Sequence, residues 1–171
     1  MDSVRKLIRD IPDFPKKGII FKDITPVLGD PTTMAAITGA FEKEIEGFKP
    51  QRIVGIEARG FIFGAVLAHA MKLPFSPIRK PGKLPYKTIK VGYKLEYGEG
   101  TLEMHTDGVN KGERVVVIDD LLATGGTAKA ACELIEKLGG KVAGIAFVVE
   151  LGFLGGRKLL EGRKVIALTK Y

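Results

Sequence analysis

The sequence predicts an α/β domain built on a mostly parallel, twisted sheet flanked by helices. Three observations predict it. Short β-branched runs alternate along the chain with longer segments of helical periodicity. The clearest strand-like runs are apolar throughout, as strands buried on both faces are. Three Gly- and charge-rich turns, at 57–60, 79–94 and 119–127, follow strand ends, and ligands of parallel sheets lie beyond those ends. With 171 residues the chain suits a single domain.

The elements follow in order. Val4, Leu7, Ile8 and Ile11 keep helical spacing, which predicts a first helix over 3–11 with Asp2 or Ser3 as its cap. Residues 13–31 are dense in Pro and Gly and read as ordered but irregular. Asp30-Pro31 is an N-cap followed by Pro at the first helical position, and the helix it opens carries Met34, Ile37, Phe41, Ile45 and Phe48 on one face. Residues 52–56 are a buried strand, 61–71 an apolar helix that should be well covered, and 75–78 a short strand. Residues 79–94 read as a basic loop or hairpin, with two short strands at 93–97 and 101–105. RVVVI at 114–118 is the clearest buried strand. A helix over 127–138 follows, with Ala128, Ala131, Cys132, Ile135 and Leu138 inward and Gly139-Gly140 as its stop. Residues 142–149 and 164–168 complete the strands.

Composition narrows the function. Lys and Arg number 27 against 20 Asp and Glu, a formal charge of +7, and glycine is 22 of the residues, nearly twice the average share of about 7%. Six of the seven excess charges sit in residues 79–94, as Arg79, Lys80, Lys83, Lys87, Lys90 and Lys94, with no acid among them. The remainder is nearly neutral, so the pattern suits a compact anion better than a nucleic acid. Aromatic interleaving is sparse there, with only Tyr86 and Tyr93. The single cysteine, Cys132, forms no internal disulfide, and neither His69 nor His105 pairs with it at metal-ligand spacing; both histidines read as structural. No apolar run reaches the 18 or so residues of a membrane span, and no signal-peptide pattern opens the chain. The expectation is a cytoplasmic protein with no nucleic-acid or membrane partner and no protein-built metal site.

VVVIDDLLATGGT, residues 115–127, carries the most chemistry. A buried strand delivers Asp119 and Asp120 to its end, and a turn with two hydroxyls and two glycines opens a helix. Thr124-Gly125-Gly126-Thr127 is a phosphate cradle, because glycines let backbone N–H groups converge on an anion at a helix N-terminus. Neither a P-loop nor a dinucleotide fingerprint is present. Two acids repel a phosphate unless they serve another part of the same ligand. A ribose, whose vicinal hydroxyls donate to carboxylates, is such a part.

With that loop, the segments GIIFKDITPVL, IEARGFIFG, IRKPGKLPY, LEYG and VVEL resemble, in order and spacing, the adenine-using branch of the type I phosphoribosyltransferases. The resemblance runs from about Ile11 to Leu168. It implies one domain over 1–171, with a small N-terminal hood (1–33) over a base site and a mobile catalytic loop (79–97). The implied reaction joins adenine N9 to C1′ of 5-phosphoribosyl diphosphate and gives AMP and diphosphate. Another 6-substituted purine, or a non-catalytic sensor of the sugar diphosphate, is the alternative. Mg²⁺ would arrive with the substrate, and the family's usual state is a homodimer, to which a helical surface near Phe61 to His69 could contribute.

The resemblance also implies residue roles. Asp119 and Asp120 would take the ribose hydroxyls or metal-bound water, and Ala123, Thr124, Gly125, Gly126 and Thr127 the 5′-phosphate. Ala58, Arg59, Arg79, Lys80 and Lys83 would take the diphosphate, with a cis peptide at Glu57–Ala58. Glu96 would be the acid/base and Tyr97 would help close the lid; with Arg59 they are the catalytic candidates. Ile20, Phe21 and Lys22 would read the purine, chiefly through the backbone of the first and third, and Leu151 would cover one face. The family more often has Arg where Lys22 stands.

Overall fold

The computed structural model describes residues 2–94 and 99–171. In chain order the elements are α1 (Asp2–Leu7), β1 (Arg9–Pro12), β2 (Ile20–Asp23), α2 (Thr25–Leu28), α3 (Pro31–Glu46), β3 (Arg52–Ile56), α4 (Arg59–Ala70), β4 (Phe75–Ile78), β5 (Thr88–Lys94), β6 (Glu99–His105), β7 (Arg114–Leu122), α5 (Gly126–Lys137), β8 (Lys141–Glu150) and β9 (Val165–Lys170). Two short 3₁₀ turns, Gly152–Leu154 and Gly156–Leu160, lie between β8 and β9.

Five parallel strands form the central sheet in the order β4-β3-β7-β8-β9. The middles of β3, β7 and β8 are apolar because helices or hairpin cover both faces. Along β7, Val115 and Val117 enter a core layer shared with Cys132 and Ile135 of α5 and with Val91, Leu102 and Met104 of the β5–β6 hairpin. Val116 and Ile118 point the other way, onto Ile37, Phe41 and Ile45 of α3 and Phe63 and Leu67 of α4. Asp30 caps α3 as its sequence predicts, its Oδ1 accepting from Thr33 N at 2.9 Å. Cys132 is fully buried, and burial pushes its thiol up to about 12.

The strand order contains a switch point. From β3 the chain crosses through α4 to β4 on one side, and from β7 it crosses through α5 to β8 on the other. The loops after β3 and β7 therefore diverge and leave a crevice between them. Helix α4 comes very close to the sheet beside it. A Cβ on Gly60 would lie 2.7 Å from Ile118 O and 2.9 Å from Asp119 Oδ1, so only glycine lets α4 start where it does.

Four expectations change. The segment before α3, read as irregular, contains β2 and α2. The first helix ends at Leu7, because Arg9–Pro12 leaves it to pair antiparallel with β2. The basic segment resolves as the hairpin alternative, but its first strand starts at Thr88 rather than Tyr93, with Ile89, Val91 and Tyr93 packed on the core and Lys90 on the opposite side. Helix α4 is covered on one side only, since Ile62 and Val66 are exposed. The Glu57–Ala58 peptide is cis, as the resemblance implies.

Phe41 is completely buried between α3 and the sheet. Phe41→Ala is expected to cost about 3–5 kcal/mol, read as a lowered midpoint in urea unfolding with little change in slope.

Candidate active site

Construction of the site begins at the switch point. Strand β7 keeps its pairing with β8 through Leu122, so Asp119 and Asp120 are held in extended backbone at the mouth of the crevice. Arg59, the first residue of α4, reaches across from the β3 side and places Nε 3.0 Å from Asp120 Oδ2. The pair does not satisfy the carboxylate. Asp120 is 4% exposed, and Oδ2 has no aligned hydrogen-bond donor. Asp119 Oδ1 accepts from Asp120 N at 2.9 Å. Burial, then the neighbouring Asp120 charge, pushes the Asp119 carboxyl well above its ordinary value. Burial also pushes Asp120 up, against the opposing pull of Arg59. Two hard-to-ionise carboxylates with spare acceptor capacity suit a ligand that brings donors or a cation.

Beyond the acids lies the turn. Gly125 caps α5 in the left-handed region, at φ 87°, with no side-chain cap, so the first N–H groups of the helix lack that partner. Ala123, Thr124, Gly125 and Thr127 join Asp119, Leu121, Leu122, Ala128 and Phe147 around a cavity of about 70 Å³. Gly126 is the first residue of the helix. Thr124, Gly125 and Thr127 of the predicted cradle and Asp119 of the predicted acid pair thus line one depression.

The basic residues gather on a carboxylate that sequence reasoning passed over. Glu57 ends the β3 turn beside Ala58. Its Oε2 accepts from Arg79 Nε at 3.1 Å and from Lys80 N at 3.0 Å, and its Oε1 accepts from Lys83 Nζ at 2.6 Å. A second buried acid, Glu103 of β6, accepts from Gly82 N at 2.9 Å and pairs with Lys90 Nζ at 3.4 Å. Residues 79–83 are therefore clamped from two sides. Burial alone would raise the Glu57 carboxyl; hydrogen bonds from Lys83, Lys80 N and Arg79 outweigh it and bring the value from 4.5 to about 2. The same balance lowers Glu103.

On the third side of the crevice stands the β1–β2 hairpin. Pro12 faces Ile20 and has no N–H to donate, so the hydrogen-bonded pairs of this ladder are Ile11–Phe21 and Arg9–Asp23. By alternation, Ile20 and Lys22 turn their backbone N–H and C=O toward the strand's free edge. Ile20, Lys22 and Leu151 line a cavity of about 340 Å³ with Phe153, Leu154 and Tyr171. Phe21 points to the other side, with its ring 5.3 Å from the Arg59 guanidinium carbon and 5.2 Å from the Phe14 ring. Lys22 pairs with Asp10 at 2.7 Å and lies over Tyr171 at 4.2 Å, so the side chain is used locally. Glu96 and Tyr97 lie outside the described residues. His69 is exposed on α4, and His105 Nε2 accepts from Tyr86 N at 3.4 Å. Among the described residues no group of three or more His, Cys, Asp or Glu is placed to hold a metal ion, and no helix is long and apolar enough to cross a membrane.

Residues 27–164 match the family model for the phosphoribosyl transferase domain. The chain is 53% identical over 171 residues to adenine phosphoribosyltransferase of Anaeromyxobacter dehalogenans, covering 100% of this chain and 99% of the relative. The crystal structure of adenine phosphoribosyltransferase from Thermoanaerobacter pseudethanolicus superposes with a TM-score of 0.97 at 52% identity, covering 99% of each chain. The Saccharomyces cerevisiae enzyme, solved with an imino-altritol bisphosphate and adenine, gives a TM-score of 0.93 at 38% identity, covering 98% of this chain and 97% of that one. The chain belongs to the phosphoribosyltransferase family, in its adenine phosphoribosyltransferase branch.

The Glu57 clamp has a pH signature. Its folded-state value lies below its unfolded one, so its contribution is complete above pH 4.5 and is lost as pH falls toward about 2. Urea unfolding at about pH 5 and about pH 2.5 should show that Glu57→Gln loses less stability across this window than the wild type. Equal losses would remove the clamp.

Proposed function

We propose that the chain transfers the phosphoribosyl group of 5-phosphoribosyl diphosphate to N9 of adenine, giving AMP and diphosphate. The observation that carries this reading is the meeting, at one switch point, of an acid pair, a glycine turn at a helix N-terminus and a gathered set of cations. Each suits one part of the sugar diphosphate. Asp119 and Asp120 accept from the ribose hydroxyls, and Asp120 Oδ2 has the spare capacity for it. Ala123 to Thr127 hold the 5′-phosphate through backbone N–H groups and Thr hydroxyls. Ala58 with Arg59, and Arg79, Lys80 and Lys83, face the diphosphate, where Arg forks and Lys point charges both serve.

The base lies along the free edge of β2, read by the backbone of Ile20 and Lys22, with Leu151 as an apolar wall and Phe21 toward Arg59. The bond from C1′ to the diphosphate oxygen breaks as the bond to N9 forms, and the N9 proton must leave. Glu96 is the group assigned to that proton, and Tyr97 to closing the lid, both on the family resemblance. Charge compensation of the departing diphosphate and alignment of N9 with C1′ supply most of the acceleration. The donor set fits Mg²⁺ carried by the substrate rather than a site built by protein alone: two carboxylates, one with an unsatisfied oxygen. Bound there, Mg²⁺ would supply charge neutralisation to the diphosphate. A homodimer is the expected assembly, with the exposed Ile62 and Val66 of α4 available for burial. The buried free thiol and lack of a disulfide suit the cytoplasm.

Protein, Mg²⁺ and 5-phosphoribosyl diphosphate mixed with adenine, hypoxanthine or guanine should give a mononucleotide from adenine alone; absence of AMP would overturn the assignment. Asp119→Asn should lower kcat/KM by about 10- to 100-fold, the worth of one hydrogen bond to a charged group. Because the Asp119 carboxyl is raised in the fold, its charge opposes folding at neutral pH. The same variant should therefore have a higher Tm at pH 7, which separates loss of function from loss of fold.

A further inference from the structure

The Ala123–Gly125 turn leans on a second glycine turn about 30 residues later in the chain. Gly156 is buried, and a Cβ there would overlap Ala123 O and come within 3.1 Å of Ala123 C and Gly125 N. The relation is mutual: a Cβ on Gly125 would overlap Gly156 O and lie 3.2 Å from Gly156 C. Two backbones thus touch with no side chain between them. The second turn is itself anchored. Arg157 Nε donates to Glu150 Oε2 at 2.8 Å and its Nη1 to Val165 O at 2.9 Å. Leu151 N donates to Leu122 O at 2.9 Å, and Gly152 N to Tyr171 O at 2.8 Å. Leu151, Phe153 and Leu154, just before this turn, line the base cavity.

We propose that Gly156 is a positioning residue for the phosphate loop, its main chain serving as the template against which Ala123 to Gly125 is set. The inference rests on the assignment of that loop to the 5′-phosphate. Gly156 touches no ligand. It acts by fixing where the loop's N–H groups converge, and it makes the base wall and the phosphate loop one mechanical unit. An added methyl must push Ala123 and Gly125 outward, and convergent N–H donors lose strength steeply when displaced.

The test compares AMP with adenosine, which lacks only the phosphate, by calorimetric titration. Wild-type protein should bind AMP about 100-fold more tightly than adenosine. If it shows no preference, the phosphate assignment fails and this inference fails with it. If wild type does prefer AMP, Gly156→Ala should weaken AMP binding by about tenfold or more while changing adenosine by less than about twofold. A folded Gly156→Ala protein that keeps the wild-type ratio overturns the inference alone. Gly39→Ala, on the exposed side of α3 with open space around its Cβ, should leave both affinities unchanged. Should Gly156→Ala fail to fold by circular dichroism, Arg157→Gln loosens the same turn without adding an atom beside the loop. It should reduce the AMP-to-adenosine ratio by about threefold, and an unchanged ratio there overturns the inference.

Discussion

Carboxylates delivered to the ends of buried strands must find partners, and that requirement organises this molecule. Glu57 directly follows strand β3, and Asp119 and Asp120 lie in the last part of strand β7. An uncompensated charge there is costly. Glu57 is answered by Arg79, Lys83 and a backbone N–H of the 79–83 segment, and Asp120 in part by Arg59. These pairings fix where the basic segment runs and how α4 enters. They also hold in place the cations proposed for the diphosphate. Glu57 lies between the Arg79 and Lys83 charges, so the two cations do not drive the segment apart.

Much of this was legible in the sequence, and the reasons are local. RVVVI is readable because a strand buried on both faces admits only apolar residues, and Asp30-Pro31 because a cap and a fixed φ are properties of two residues. The turn that opens α5 is readable because a left-handed residue before a helix start favours glycine, here Gly125. Misreadings also have physical causes. Helical spacing persists through Ile11, yet Pro12 and the partner strand Ile20–Asp23 claim those residues for a hairpin. In β5 the alternation of Ile89, Val91 and Tyr93 is present, but the density of lysine around it conceals a half-buried strand.

What the sequence withheld is pairing over distance. Glu57 and Glu103 stand 46 positions apart and grip one segment between them. Nothing within reach of either residue along the chain announces this. The pair Gly155-Gly156 looks like an ordinary turn until Gly125 is seen against it. A free strand edge is a subtler case. The position of Pro12 determines which backbone groups of β2 remain unpaired, but only once the antiparallel register is known. Recognition through such an edge would depend little on the side chains at 20 and 22, consistent with Lys22 being spent on Asp10 and Tyr171.

Cys132 sits inside the core under α5 with its thiol pushed up to about 12. Almost no thiolate exists there at neutral pH, and oxidants and alkylating reagents act on the thiolate. Since it is the chain's one cysteine and is buried, the folded protein presents no exposed native thiol. A cysteine introduced at any exposed position would then be the sole reactive thiol, without first deleting a native one. Spin labels or fluorophores placed on the β1–β2 hairpin or beside residues 79–83 would report on those segments over an otherwise unaltered core.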